Sequence, residues 1–269
     1  MTPCYPRSES CDNQMNTITL RKGNCLELMK TIPDNSVDLV LTDPPYNLAN
    51  FMDVRSTNLA AMRPNFFGSA GWDEFTASEW EEAMDIFFRE LHRVLKPRGA
   101  AIIFMSLMRM ETLIRLSEKN MFYYKTIGAW HKTNPMPRNM KLQFVNSIEG
   151  WLYLINLENK STKKSTTFNN DGKCIHDFIE SSLTPGSECK HGRHPTQKPV
   201  SVFRHFIELL TNPGDTVLDP FMGAGTTPVV ASLTERNSIG IELEDRYFEM
   251  ACLNVKDNVP VDCKLIIEE

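Results

Sequence analysis

Two short apolar runs in this chain each stop at an aspartate that is followed by proline. Residues 37–41 are mostly aliphatic and lead into Asp43 and two prolines, and residues 217–218 lead into Asp219 and one proline. Proline has no N–H to donate and has a fixed φ, so a strand ends where prolines begin. The pattern predicts two buried strands with acidic groups at their carboxyl ends. Open α/β sheets place their active sites at that edge.

The second aspartate begins a glycine loop. Residues 219–227 read Asp-Pro-Phe-Met-Gly-Ala-Gly-Thr-Thr, and an apolar stretch typical of a helix follows. Gly223 and Gly225 allow the backbone to approach a ligand closely. The loop lacks the third glycine of the dinucleotide-binding fingerprint, which favours a ligand without a pyrophosphate. The next predicted strand ends at Glu242, where a carboxylate can accept hydrogen bonds from ribose hydroxyls.

Together, the Asp-Pro-Pro-Tyr stretch at 43–46 and the glycine loop resemble the amino-methyltransferases of DNA that use S-adenosylmethionine. Their order along the chain is the permuted one of the β class. The resemblance extends over residues 17–255, and the hexapeptide 194–199 (His-Pro-Thr-Gln-Lys-Pro) matches the family segment that precedes the cofactor loop. It implies an α/β fold with a doubly wound, mostly parallel seven-stranded sheet, of the Rossmann-like class I methyltransferase type, carrying a DNA-recognition insertion.

The resemblance also implies roles for individual residues. Asp43 and the carbonyl of Pro44 would accept the two amine hydrogens of a target base, and Tyr46 would stack on that base after it leaves the duplex. The predicted catalytic residues are Asp43, Pro44, Pro45 and Tyr46. The predicted cofactor-binding residues are Asn24, Cys25, Asp43, Lys198, Asp219, Phe221, Gly223, Gly225, Thr226, Thr227 and Glu242. The family commonly has aspartate where this chain has Asn24.

The expected reaction is site-specific methylation of adenine N6. In the family, Asp-Pro-Pro-Tyr leans toward adenine and Ser-Pro-Pro-Tyr toward cytosine N4, so Asp43 favours adenine; methylation of cytosine N4 by the same fold is the alternative. Two other classes stay open. The missing third glycine disfavours a nucleotide-binding oxidoreductase, and intact Asp43 and Tyr46 disfavour an inactive DNA-binding module. By itself, Asp-Pro-Pro-Tyr is equally typical of a turn after a strand.

Composition and periodicity divide the chain into segments. We expect a flexible tail at 1–16, a catalytic half at 17–157, a target-recognition insertion at 158–192, a cofactor-binding half at 193–256 and a C-terminal tail at 257–269. Residues 47–75 lack clear periodicity. Their position beside the catalytic strand favours a lid over the target base, with an ordinary surface loop as the alternative.

The net charge of −5 is unevenly distributed. Residues 132–198 hold ten Lys and Arg against six Asp and Glu, which is compatible with a basic face that binds double-stranded DNA. The polar segment 158–192 is expected to read DNA, with a solvated linker as the alternative. The predicted DNA-binding residues are Arg55, Arg63, Arg138, Lys160, Lys163 and Lys164.

Several other classes of protein are disfavoured. No apolar run approaches membrane-spanning length, and the first residues are too polar for a signal peptide. The seven cysteines include no Cys-x-x-Cys pair, which favours a reduced cytoplasmic compartment. Cys174-x-His176 and Cys189-x-His191, with His194 nearby, could ligate a metal, but their spacing is not that of a common zinc finger, so no metal is expected. The resemblance is also compatible with a homodimer.

Overall fold

The computed structural model describes residues 15–46, 76–136 and 144–269. In these ranges nine strands form a single sheet in the order β6-β4-β5-β3-β2-β7-β8-β1-β9. The strands are β1 (Thr17–Lys22), β2 (Val37–Thr42), β3 (Leu95–Met105), β4 (Phe122–Lys132), β5 (Ile148–Asn156), β6 (Phe178–Ser181), β7 (Thr216–Asp219), β8 (Asn237–Glu242) and β9 (Lys264–Glu268). The α-helices are α1 (Cys25–Leu28), α2 (Ala77–Val94), α3 (Met110–Lys119), α4 (Val200–Leu210), α5 (Thr226–Leu233) and α6 (Asp245–Asn258).

Strand direction determines where the functional groups meet. Strand β5 is antiparallel to β3 and β4, whereas the other pairs among the described strands are parallel. The parallel strands therefore end at one edge of the sheet, here called the carboxyl edge, which carries Asp43 after β2 and Asp219 at the end of β7. The opposite edge is called the amino edge. Because β5 runs the other way, it begins at the carboxyl edge.

The core covers both faces of the central strands. On one face, Val40 packs with the buried aromatic residues of α2, among them Phe87 and Phe88. On the other face, Leu39 and Leu41 pack with α4 and its Phe206. Such two-sided burial is what a near-continuous apolar strand in a parallel sheet requires. It holds the end of β2, and with it Asp43, in a rigid setting.

Within the part of the chain that the structure describes, the sheet has nine strands where seven were expected. The two additions, β6 and β9, lie at opposite ends of the sheet and are short. The prediction of a C-terminal tail at 257–269 is therefore wrong for the last residues, which form β9. This strand pairs with β1 in parallel, and its Leu265 and Ile267 pack against a small core cluster. A short edge strand that is only partly buried carries a weak apolar signal, which explains the error. Most of the expected tail at 1–16 lies outside the described residues.

Residues 158–192 run from one edge of the sheet to the other. They leave β5 at the amino edge, where Asn169 donates to the carbonyl oxygen of Thr211 beyond the end of α4 (2.8 Å). Strand β6 then pairs in parallel with β4, which returns the chain to the carboxyl edge. The described helices include none long and apolar enough to cross a membrane.

Candidate active site

Asp43 lies directly after β2 with both carboxylate oxygens engaged. Its Oδ1 accepts a hydrogen bond from Tyr46 Oη at 2.7 Å, and its Oδ2 accepts one from Lys198 Nζ. The indole of fully buried Trp80 donates to the carbonyl of Pro45 (3.4 Å), which fixes the proline-stiffened turn to α2. The Asp-Pro-Pro-Tyr stretch is therefore a constrained loop whose acid and phenol face each other.

Lys198 is held between two acids. Its side chain is 3% exposed, and its ammonium contacts Asp43 and also Glu149 Oε2 at 3.1 Å. Glu149 accepts a second charged hydrogen bond through Oε1 from Lys132, the last residue of β4. The result is a row of alternating charges that ends at Asp43. Lys198 was predicted to bind the cofactor, whereas its ammonium lies here on the predicted catalytic acid.

The sequence did not reveal Glu149 and Lys132 as site residues. Tyr46 and Glu149 are separated by 103 positions in the chain, so no local motif joins them. The usable signal was a lone acid at the start of an otherwise apolar strand, Ile148–Asn156. A charged group in such a strand needs a partner, since burying an unpaired charge is costly.

The charges in this row perturb one another. Burial raises the pKa of Asp43, the Lys198 ammonium opposes that rise, and the Glu149 carboxylate adds to it. Burial alone would also raise the pKa of Glu149, but Lys198 and Lys132 outweigh it and lower the pKa to about 2. Burial would lower the pKa of Lys198, yet the two carboxylates raise it overall.

The glycine loop is held together from within. Asp219 accepts hydrogen bonds from Thr42 Oγ1 (2.8 Å) and Thr227 Oγ1 (2.5 Å), and so links the loop to the end of β2. Gly225 has φ +83°, and a Cβ there would lie 3.0 Å from the Cβ of Ala251 on α6. Only glycine meets both conditions without strain. Asp219 and Thr227 were predicted to bind the cofactor, but in the structure their side chains hydrogen-bond to each other and so hold the loop in shape.

The carboxylate of Glu242 is aimed by backbone amides. It accepts from the N–H of Gly223 (3.0 Å) and from that of Glu244 (2.8 Å). Burial raises its pKa, and these hydrogen bonds oppose the rise. Gly223 itself has φ +51°, and a Cβ on it would lie 3.3 Å from the ring of His194. The loop, the acid and the histidine therefore pack closely at the carboxyl edge.

The other predicted cofactor residues lie around this loop. Asn24 Oδ1 caps α1 by accepting from Leu26 N (2.9 Å), and buried Cys25 follows, with burial raising the pKa of its thiol to about 12. The ring of Phe221 lies 5.6 Å from that of Phe87, and Thr226 Oγ1 donates to the carbonyl of Lys198 (3.3 Å). The N–H of Gly23 donates to the carbonyl of Glu242, the last residue of β8. Asn24 is the next residue in the chain and therefore lies close to the end of that strand.

A family model described as DNA methylase, covering N6 and N4 amino-methyltransferases, matches residues 37–252. The chain belongs to this family. The type II methyltransferase M.HinfI of Haemophilus influenzae is 33% identical over 266 residues, 94% of this chain and 71% of that relative. M2.LlaDCHI of Lactococcus lactis subsp. cremoris is 33% identical over 241 residues, 85% of this chain and 86% of that relative.

Solved structures of methyltransferases have the same fold. The M1.HpyAVI–SAM complex superposes with a TM-score of 0.63 at 27% identity, covering 88% of this chain and 99% of the other. The cytosine-N4-specific PvuII DNA methyltransferase superposes with a TM-score of 0.70 at 19% identity, covering 92% and 91%. The protein is therefore an S-adenosylmethionine-dependent DNA methyltransferase of the N6/N4 family, with a class I methyltransferase sheet.

The residues of this DNA methyltransferase fit the cofactor of its family. Glu242 ends β8 with two backbone donors that orient its carboxylate, which leaves acceptor positions for ribose hydroxyls. The loop from Gly223 to Gly225 presents backbone rather than bulky side chains. Glu242, Gly223, Gly225 and Asn24 would hold the nucleoside part. Asp43 follows strand β2, which is the neighbour of β7 in the sheet.

The three lysines that were predicted to bind DNA lie far from Asp43 in the structure. Lys160, Lys163 and Lys164 are exposed, but they lie at the amino edge, where Lys164 Nζ sits 4.6 Å from the ring of Tyr123 near the start of β4. Strand β2 has six residues, so about 20 Å of sheet separates that edge from Asp43. This placement argues against these lysines as contacts around a base bound at Asp43. Arg55, Arg63 and Arg138, with the expected lid at 47–75, lie outside the described residues.

The Cys and His residues considered as metal ligands have other surroundings. Cys174 and His176 are exposed, His191 Nε2 lies 2.7 Å from Asp257 Oδ2, and the ring of His194 stacks edge-on against Tyr247. Over residues 15–46, 76–136 and 144–269, no group of three or more His, Cys, Asp or Glu is arranged to hold a metal ion.

Proposed function

We propose that this DNA methyltransferase transfers a methyl group from S-adenosylmethionine to N6 of an adenine turned out of duplex DNA. The observation that carries the proposal is the largely buried Asp43 side chain (13% exposed) at the carboxyl edge, flanked by Tyr46 and Lys198. Asp43 stands where Asp-Pro-Pro-Tyr relatives direct the reaction to adenine. A nucleoside-containing cofactor is supported by the glycine loop after the adjacent strand β7 and by the oriented Glu242, which ends β8 two strands away.

The chemistry explains why an acid is needed at this position. The lone pair of an exocyclic amine is delocalised into the ring, so the amine is a poor nucleophile. Hydrogen bonds from both amine hydrogens to Asp43 and the Pro44 carbonyl would localise that lone pair and offset the positive charge that develops on nitrogen. The cofactor supplies an electrophilic methyl group on a sulfonium. Asp43 orients the amine and afterwards receives its surplus proton.

The target base must leave the helix for this contact to form. In duplex DNA the amine is engaged in base pairing, and the proposed acceptor lies in a partly buried loop at the edge of the sheet, so a flipped base is required. Tyr46 would meet that base with its ring. The homodimer with which the family resemblance is compatible is untested, and light scattering of the purified chain would check it.

One experiment separates adenine from cytosine as the target. Duplex DNA is incubated with the protein and S-adenosylmethionine, digested to nucleosides and analysed by mass spectrometry. We expect N6-methyladenine; N4-methylcytosine in its place would overturn the adenine assignment, since cytosine N4 needs the same acceptors. The PvuII superposition concerns the fold and does not discriminate between the two amines.

A second experiment tests the role of Asp43. Asp43→Ala should abolish methyl transfer while cofactor affinity, measured by calorimetry, stays within about tenfold, because the acid acts mainly on the target amine. Asp43→Asn is the matched control, since it keeps the size and one acceptor oxygen but loses the charge. Near-normal turnover in Asp43→Ala would contradict the assignment.

A further inference from the structure

Both donors that occupy Asp43 also face Glu149. Lys198 Nζ binds Asp43 Oδ2 and lies 3.1 Å from Glu149 Oε2. Tyr46 Oη donates to Asp43 Oδ1 at 2.7 Å and lies 3.4 Å from the same Glu149 oxygen. Glu149 comes from β5, the antiparallel strand, which begins where the parallel strands end. The two carboxylates therefore share the same ammonium and the same phenol.

We propose that Glu149 is a positioning residue for methyl transfer, which draws Lys198 and Tyr46 toward itself and so leaves the Asp43 carboxylate free to accept the target amine. The inference rests on the proposed function, because it takes Asp43 to be the acceptor. Glu149 itself would act only through the two shared donors and need not touch the base.

The argument concerns competition for hydrogen bonds. In the present arrangement Asp43 has a partner on each oxygen, so an arriving amine must share or displace one. Without Glu149, the ammonium of Lys198 would have Asp43 as its only carboxylate partner among the described residues, and that ion pair would weaken Asp43 as an acceptor. With Glu149 present, Lys198 can turn away from Asp43 without becoming a buried unpaired charge, which would be strongly unfavourable.

Lys132 sets how strongly Glu149 competes. Its ammonium binds Glu149 Oε1, on the side away from Lys198, and its side chain is 10% exposed. Neutralising Glu149 from that side limits its pull on Lys198. Removing the charge of Glu149 and removing that of Lys132 should therefore have opposite effects on Asp43. General damage to the site would not produce opposite effects.

The groups around Asp43 determine its titration. Among the described residues, those that face it or act on it electrostatically are Tyr46 of its own loop, Lys198 before α4, Glu149 of β5 and Asp219 at the end of β7. Lys198 lowers the pKa of Asp43, and Glu149 raises it. Loss of the Glu149 charge should lower the Asp43 pKa, and loss of the Lys132 charge should raise it by leaving Glu149 less neutralised.

The test uses two matched amide variants of the full chain, Glu149→Gln and Lys132→Gln. Each removes one charge and keeps a hydrogen-bonding side chain. Single-turnover methyl transfer is measured against pH with saturating DNA and S-adenosylmethionine. For Glu149→Gln we expect the acid limb of the profile to move down by about one pH unit and the plateau rate to fall on the order of tenfold. For Lys132→Gln we expect the limb to move up.

The double variant Glu149→Gln/Lys132→Gln should return the acid limb toward its original position, since it restores charge balance. The inference would be overturned if the acid limb of the pH–rate profile did not move, or if it moved in the same direction in both single variants. If thermal unfolding shows that Glu149→Gln does not fold, the Lys132→Gln variant still tests the inference, because its acid limb must move to higher pH. Asp43→Ala distinguishes the two levels: turnover without Asp43 refutes the proposed function, whereas an inactive Asp43→Ala with unmoved limbs refutes only the role of Glu149.

Discussion

Replacing Asp219 by asparagine should change how the stability of the protein depends on pH. Asp219 is 2% exposed and accepts from Thr42 Oγ1 (2.8 Å), Phe221 N (3.1 Å) and Thr227 Oγ1 (2.5 Å). Burial raises the pKa of its carboxyl to about 7, although these hydrogen bonds oppose the rise. Asparagine at this position keeps an oxygen for Thr42 and Phe221 but cannot titrate.

The sign follows from comparing the folded and unfolded chains. In the unfolded chain an aspartate titrates near about 3.9, so between about pH 4 and pH 7 the folded state binds more protons at Asp219 than the unfolded state does. The stabilisation that this proton provides is fully present at low pH and is lost as pH rises through that window. Each pH unit contributes at most about 1.4 kcal/mol, which gives about 2 kcal/mol between pH 5 and pH 7.

The assay is urea unfolding of both proteins at pH 5, 6 and 7. All other titrating groups are common to the two proteins, so the free energy of unfolding of Asp219→Asn relative to the original should rise by about 2 kcal/mol over this range. Asp219→Ala is the second control. It should show the same pH trend, displaced downward by about 3 kcal/mol because buried donors lose their acceptor. A difference that is constant with pH would refute the reasoning, since Asp219 would then be ionised throughout.

The remaining predictions concern the cofactor and DNA. Gly223→Val should weaken S-adenosylmethionine binding, because φ is +51° there and a Cβ already meets the His194 ring at 3.3 Å. Glu242→Ala should weaken it by about 1–3 kcal/mol through unpaired hydroxyls, and calorimetry showing unchanged affinity in both variants would contradict the site. Replacing the three lysines within residues 160–164 by alanine should leave the salt dependence of duplex binding unchanged, because they lie at the amino edge. Arg193 is exposed and directly precedes His194, whose ring lies beside Gly223 at the carboxyl edge, so its replacement by alanine should reduce that slope by about one.

Local signals were sufficient for much of the site. A strand that runs into two prolines must end, so the position of Asp43 at a strand end followed from the chain itself. Gly223 and Gly225 both have positive φ in the structure, as a tight loop between a strand and a helix requires. Glu242 likewise ends β8, as predicted. In each case the interactions that determine the local structure lie within a few residues.

Other features depended on the tertiary structure because their partners are far apart in the chain. Glu149 becomes part of the site only because β5 runs antiparallel and brings its first residues beside Asp43. The lysines within residues 160–164 looked suited to DNA by charge, yet the same reversal of β5 sends them to the opposite edge. Strand β9 gains its order from pairing with β1, some 250 positions away. Composition and motifs identify which groups are available, whereas strand direction and pairing decide which of them meet.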